Sequence, residues 1–328
     1  MIARLGGADR RTSLWLGLIA VAAGLALPHL VFIGLATDIV CWALFAAAFD
    51  LLLGYTGLLS FGHAMFWGAA SYVTGLLILR AHWSFVPVVL AGMASAAVIA
   101  AIVGAISIRR QGIYFAMITL AFGQLIYFIA NQLGDWTGGQ DGLQGVPRPV
   151  LFGSINFNDD QLLYYVTLGL AVLAVAFMLR VVNSPFGQVL KAIRENEPRA
   201  ISLGYRTNVY KFVAFVISAT LSGLAGSLFV ISHRFTSLDT LDWHTSGQVV
   251  IMTVLGGMGT IFGPLFGAGF YVTINDRLST LSNSANPLLA QLGHSPGLVL
   301  GIIFIVMVLV FRRGVIGEVL HALQRRAS

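Results

Sequence analysis

The stretch SPFGQVLKAIRENEPRAISLGY occupies residues 184–205 and separates two long apolar runs, 162–182 and 211–232. Ser184 followed by Pro185 reads as a helix start, a hydroxyl cap and then a proline at the first helical position. Phe186, Val189, Leu190 and Ile193 recur at helical spacing. Lys191, Arg194, Glu195 and Glu197 fall mostly off that line. Pro198 disfavours helix at Glu197, so the spacing predicts a turn and a second short helix ending at Gly204. A short amphipathic element between two membrane-length runs needs a partner for its apolar face. A helix lying on anionic lipid would favour Lys and Arg without acids, and Glu195 and Glu197 dilute that surface. A solvated loop has no need of Phe186, Leu190 and Ile193 in register. A docking surface for another protein accommodates both the apolar anchors and the mixed charges.

The runs on either side set the class. The chain is 57% hydrophobic and 10% charged, with a mean hydropathy of +0.86. Runs of roughly 20 apolar residues recur, each long enough for a hydrocarbon core of about 30 Å. The expected fold is an all-α polytopic transmembrane helical bundle of about ten spans, with possible broken or re-entrant helices, forming a single transmembrane domain over residues 1–328. The spans are placed at 14–35, 39–54, 61–80, 87–108, 113–132, 162–182, 211–232, 246–263, 264–281 and 297–311. A transmembrane barrel would show short alternating strands instead. The first run follows Arg4, Arg10 and Arg11, is too long for a signal-peptide core and lacks a convincing cleavage site, so it reads as a retained span. Cys41 is the only cysteine. That leaves no intramolecular disulfide and no cysteine-based metal site, and Cys41 reads as a small packing residue.

Charge gives the orientation. With ten crossings both termini lie on one side, together with fifteen of the 19 Lys and Arg residues. Arg80, Arg148, Arg234 and Arg277 fall on the other side. This bias places the termini and residues 184–205 in the cytoplasm. It also accounts for the formal charge of +6 without invoking nucleic acid.

Two glycine-rich places interrupt the spans, GYTGLLSFG at 54–62 and GGMGTIFGPLFGAG at 256–269. Glycine and proline at membrane depth point to broken or re-entrant helices, tolerated where protein or a water-filled cavity surrounds them. Such breaks in corresponding positions of two halves mark transport pathways. The two clusters are only loosely alike, and close packing through small residues is an equal reading. An outer loop at 133–161 contains TGGQDGLQGVPRP, a succession of turn residues, and is long enough to suggest a functional role.

No phosphate-binding loop of the form G-x-x-x-x-G-K-[ST] is present, and neither is H-E-x-x-H or any paired Cys/His spacing. His63 lies next to the first glycine cluster and reads first as a hydrogen-bonded polar residue at a helix end. Asp50 sits near the inner end of the second span. An acid there is a functional candidate by default, but capping of nearby N–H groups ranks first. Thr119 and Gln124 punctuate the fifth span, where bonding between helices ranks ahead of lining a passage. The translocation-path candidates are Gly54, Gly57, Ser60, Gly62, His63, Thr119, Gln124, Gly256, Gly257 and Gly259.

GYTGLLSFGHAMFWGAASYVTGLL (54–77), RRQGIYFAMITLAFGQ (109–124), TGGQDGLQGVP (137–147), SPFGQVLKAIRENEPRAISLGY (184–205) and VLGGMGTIFGPLFGAGF (254–270) together carry a resemblance. The chain resembles the LivM-type permease subunits of bacterial branched-chain amino acid ABC importers, over nearly its whole length. The resemblance implies a multi-pass protein of the bacterial inner membrane that forms the path for leucine, isoleucine, valine or related hydrophobic amino acids. It implies a LivH-like second permease, two ATP-binding subunits that hold the ATP, and a periplasmic solute-binding protein. No cofactor is expected in this chain. Segment 184–205 is similar to the cytoplasmic coupling loop of importer permeases, which implies coupling roles for Gly187, Ala192, Ile193, Arg194, Glu195, Asn196, Glu197 and Gly204. Asp135 and Asp141 of the outer loop would help receive the binding protein. Permeases for urea or short-chain amides are a close alternative. A stand-alone secondary transporter is a further one, disfavoured by the absence of a chain of acids or histidines through the spans.

Overall fold

A computed structural model describes residues 9–150, 157–281, 295–311, 314 and 317–318. Among them the architecture is helical, with one isolated antiparallel bridge between Leu143 and Thr236. The first five helices are α1 (Asp9–Leu30), α2 (Ile33–Thr56), α3 (Ala64–Ala81), α4 (Phe85–Ser107) and α5 (Ile113–Gln132). Then come a short α6 (Gly134–Thr137), α7 (Asp160–Val182), α8 (Pro185–Glu195) and α9 (Glu197–Ser202). The chain continues with α10 (Thr207–His233), α11 (Trp243–Gly256), α12 (Phe262–Leu281) and α13 (Pro296–Val310). Their order follows the expected spans.

Helices α2, α3, α4, α5, α7 and α10 are long and apolar enough to cross a membrane, and the chain is a multi-pass membrane protein. Helix α1 contributes an apolar stretch, Gly17–Leu30, and α13 is a shorter apolar helix. The expected count of about ten spans is therefore not confirmed. The physical reason is clearest in α11. Its 14 residues rise about 21 Å, short of a core of about 30 Å.

Helices α2 and α10 form the centre. Helix α10 packs against α2, α3 and α4, while α2 packs against α10, α12, α11 and α7. The outer helices present apolar side chains outward, such as Leu90 and Ile102 on α4, Met117 and Phe128 on α5, and Leu173 on α7. In a bilayer these residues meet lipid rather than water.

Each central helix is followed by a stretch outside the α-helices that turns back into the bundle, the second containing one 3-10 turn at Leu238–Leu241. After α2, residues 57–63 return to the interior. There the Gly62 backbone lies against the Thr119 carbonyl, two turns into α5, and an added Cβ would fall on that oxygen. After α10, residues 234–242 return from the opposite end, and Gly68 in α3 backs onto the Thr240 carbonyl. Helices α3 and α11 thus begin inside the protein. Their first turns meet, with the Ala64 N–H donating to Ser246 Oγ at 2.9 Å. Non-helical backbone at this depth survives because surrounding protein satisfies it.

The two loosely similar glycine clusters fall at different steps of the helix order, 54–62 between α2 and α3 and 256–269 between α11 and α12. The counterpart of 57–63 is 234–242, which contains no glycine. A better echo lies in the following helices, since α4 and α12 begin Phe85-x-Pro87 and Phe262-x-Pro264. Both prolines stand in a first turn, where their missing N–H costs no intrahelical bond.

Candidate functional site

The α8–α9 segment forms as its sequence directs. Ser184 Oγ accepts from the Gly187 N–H, Pro185 opens the helix, and Asn196 Oδ1 caps α9 by accepting from the Arg199 N–H at 3.0 Å. Gly204 closes the pair with a φ of 90°, a left-handed value that favours glycine. What the segment faces is another matter. Leu190 and Ile193 are buried against the protein's own helices, since α8 packs on α2, α7 and α10. Phe186 stacks on Tyr210 of α10, with ring centroids 5.6 Å apart. The apolar line expected to anchor a partner is thus consumed internally. Gln188, Ala192, Arg194 and Glu195 of α8 are exposed, with Ile201, Leu203 and Tyr205 exposed beyond them.

Two charged contacts lock the segment in place. Lys211, 1% exposed, pairs with Glu197 at 2.7 Å. Glu197 is therefore engaged by α10. Arg194 reaches the other way and donates from Nη1 to the Gly54 carbonyl at the end of α2. A Cβ added to Gly259 would touch the same guanidinium. Asp50 completes the group, its carboxylate accepting the Gly259 N–H at 2.9 and 3.2 Å. Asp50 does cap backbone, but in the α11–α12 turn rather than in its own loop. Gly54, Gly57 and Gly259 thus gather around Arg194 at one end of the bundle, with Gly257 in the same α11–α12 turn. Gly54 admits no side chain, since a Cβ would overlap the Asp50 carboxylate and the Gly259 nitrogen. Lys191 lies over the Tyr55 ring, 5.7 Å from its centroid. Gly256 packs on the Gly263 carbonyl.

A second group occupies the centre, where α3 and α11 begin. Ser218 of α10 gives its single hydroxyl proton to the Ala48 carbonyl at 2.6 Å. His63 Nε2, 3.0 Å away, must then be the donor to Ser218 Oγ. That assignment leaves Nδ1 as a buried acceptor with no partner among the described residues. Phe49 and Phe66 meet the imidazole edge-on, each with centroids 5.1 Å apart. Ser60 Oγ is also buried without a partner among the described residues. The Thr119 hydroxyl bonds to its own helix at Ala116 rather than to a neighbouring one, and Gln124 Nε2 has no partner among the described residues. The ten path candidates therefore divide between the Arg194 end and this central junction, with Gln124 apart from both on α5. Ser218, Ser246 and Lys211 escaped sequence reasoning. Their only signal was a hydroxyl or amine within or beside an apolar run.

The outer loop is more ordered than its turn residues suggested. Leu143 and Thr236 exchange backbone hydrogen bonds at 2.8 and 3.1 Å, and Val146 is buried. The Asp135 and Asp141 side chains are exposed, and Arg80 over the Trp136 ring donates to the Asp135 carbonyl at 2.8 Å. Residues 151–156 of this loop lie outside the described residues.

A family model for the permease component of branched-chain amino acid transport systems matches residues 31–311. The chain belongs to this permease family. It is 29% identical over 271 residues to the high-affinity branched-chain amino acid transport permease protein LivM of Salmonella typhimurium, covering 75% of this chain and 63% of that protein. It is 29% identical over 261 residues to the Escherichia coli LivM, covering 72% and 61%. A shorter likeness, 32% over 119 residues and 35% of each chain, links it to the autoinducer 2 import permease LsrC of Photorhabdus laumondii. The match thus spans a little over six-tenths of the length of these two LivM relatives. No solved structure matches.

Proposed function

We propose that this permease-family chain is the membrane subunit of an ATP-driven importer of branched-chain amino acids, in a bacterial inner membrane with both termini cytoplasmic. The carrying observation is Arg194. It ties α8 to the end of α2, beside the α11–α12 turn, while Gln188, Ala192 and Glu195 face away from the bundle. A motor gripping the outward face of α8 would pull on the end of α2 and the neighbouring α11–α12 turn through one guanidinium. The ATP is held by two partner subunits, and a LivH-like permease completes the path. A periplasmic binding protein delivers substrate to the far end, near Asp135 and Asp141. The names of the LivM relatives support the cargo.

The test uses the assembly reconstituted in vesicles. Glu195→Arg with Ala192→Trp alters only the outward face of α8 and is expected to strip the ATP-binding subunits from the purified complex. Arg194→Ala is expected to keep those subunits and their ATP hydrolysis while leucine uptake falls. Normal uptake by the Glu195/Ala192 variant would remove the coupling role from this segment.

A further inference from the structure

At the end of the bundle away from α8, a cleft of about 210 Å³ opens between α2, α11 and α12. Asp38 and Trp42 line it from α2, Gln248 from α11, and Tyr271, Asn275 and Asp276 from α12. We infer that this cleft receives the transported solute by its ammonium and carboxylate groups, as a zwitterionic amino acid. The inference rests on the importer reading and adds to it a place and a chemistry.

Several polar side chains of this cleft lack partners among the described residues. Asp38 is met by His233 Nε2 at 3.3 Å. The side chains of Asp276, Asn275 and Gln248 make no hydrogen bond or ion pair with the described residues. Tyr271 is 8% exposed, and its hydroxyl is likewise unpartnered at the cleft wall. A tyrosine this buried ordinarily places its hydroxyl on an acceptor or donor. One ammonium carries three donors, which the Asp276 carboxylate and the side-chain carbonyls of Asn275 and Gln248 would accept. One carboxylate would take the amide N–H groups and the Tyr271 hydroxyl. The face of Trp42, itself stacked on Trp67 at 5.2 Å, favours a cation nearby. Met252 and Val272 add apolar wall for an aliphatic side chain. The volume lies below the roughly 300–1,000 Å³ of sites for drug-sized ligands, which suits a single amino acid.

The experiment measures binding to the purified full chain by calorimetry, and uptake by the reconstituted transporter. The probes are leucine, leucinamide and 4-methylpentanoate, which carry both charges, the ammonium alone and the carboxylate alone. Leucine and leucinamide are expected to bind and 4-methylpentanoate is not. Asp276→Asn is expected to weaken leucine binding at least about tenfold, as loss of a charge-assisted bond does. The same change should raise the uptake KM with little change in kcat. Tyr271→Phe is expected to weaken leucine binding more than leucinamide binding. Asp276→Glu, which keeps the charge, should restore part of the affinity and so exclude a folding defect as the cause. Unchanged leucine binding in Asp276→Asn and Tyr271→Phe, or 4-methylpentanoate binding as well as leucine, would overturn the site while leaving the importer intact. A complete transporter that imports no branched-chain amino acid would instead remove the cargo reading and this inference with it.

Discussion

Glu197→Ala should destabilise this protein more than its place in a short polar segment suggests. Its partner Lys211 is 1% exposed and Glu197 14%, with the charged atoms 2.7 Å apart. Deleting the carboxylate strands an ammonium that neither water nor another acid reaches, at a cost of about 3–5 kcal/mol. Lys211→Met removes the buried charge itself and leaves Glu197 with some access to water. Its cost should be nearer the ~1–3 kcal/mol of one unsatisfied polar group. The double variant Glu197→Ala with Lys211→Met removes both charges and should cost no more than Lys211→Met alone, about 1–3 kcal/mol, since no charge is left stranded. The cycle should therefore yield a coupling of about 3–5 kcal/mol, the cost of stranding the lysine. Equilibrium unfolding of the purified chain in mixed micelles, followed by far-UV circular dichroism, measures all four proteins. Repeating it at raised salt should change little, because the lysine is shielded from ions. Single variants that each cost under about 1 kcal/mol, or costs that simply add, would refute the claim that a desolvated pair fastens α9 to α10.

Two further outcomes test the interior. Gly62→Ala places a methyl on the Thr119 carbonyl, so it should cost at least about 1–3 kcal/mol in overpacking. Trimming Thr119 to alanine should not rescue it, because the clash is with backbone; rescue would show that the contact had been misassigned. Ser246→Ala removes the acceptor of the Ala64 N–H, which should cost about 1–3 kcal/mol and speed hydrogen exchange at Ala64. Unchanged protection at that amide would dissociate the starts of α3 and α11.

Much of the fold was legible because its causes are local. An apolar run of membrane length must become a helix, whatever its neighbours, since nothing else satisfies its backbone in lipid. Ser184, Pro185 and Gly204 act on their own few residues, and α8 and α9 form where those residues direct. The five motifs pointed to the same family that the match over residues 31–311 shows.

What escaped the sequence is what depends on partners distant along the chain. Periodicity revealed that α8 has an apolar face, but a helix carries no record of what that face meets. Leu190 and Ile193 would read the same whether buried in a motor or, as they are, in their own bundle. Composition identified glycine at 54–62 as a break, yet residues 234–242 make the matching inward turn without glycine, held there by contacts to α3 and by the Leu143–Thr236 bridge. Asp50 looked like a cap for its own loop. It caps Gly259, 209 residues away, because the fold brings that N–H to the end of α2. The sequence alone thus determined the long apolar helices, their order and the two short elements α8 and α9, since hydrophobicity and capping act over a few residues. Tertiary structure decided which faces are spent internally, where the chain re-enters the bundle, and that Arg194 joins α8 to the centre, since those outcomes rest on contacts between segments far apart in the chain.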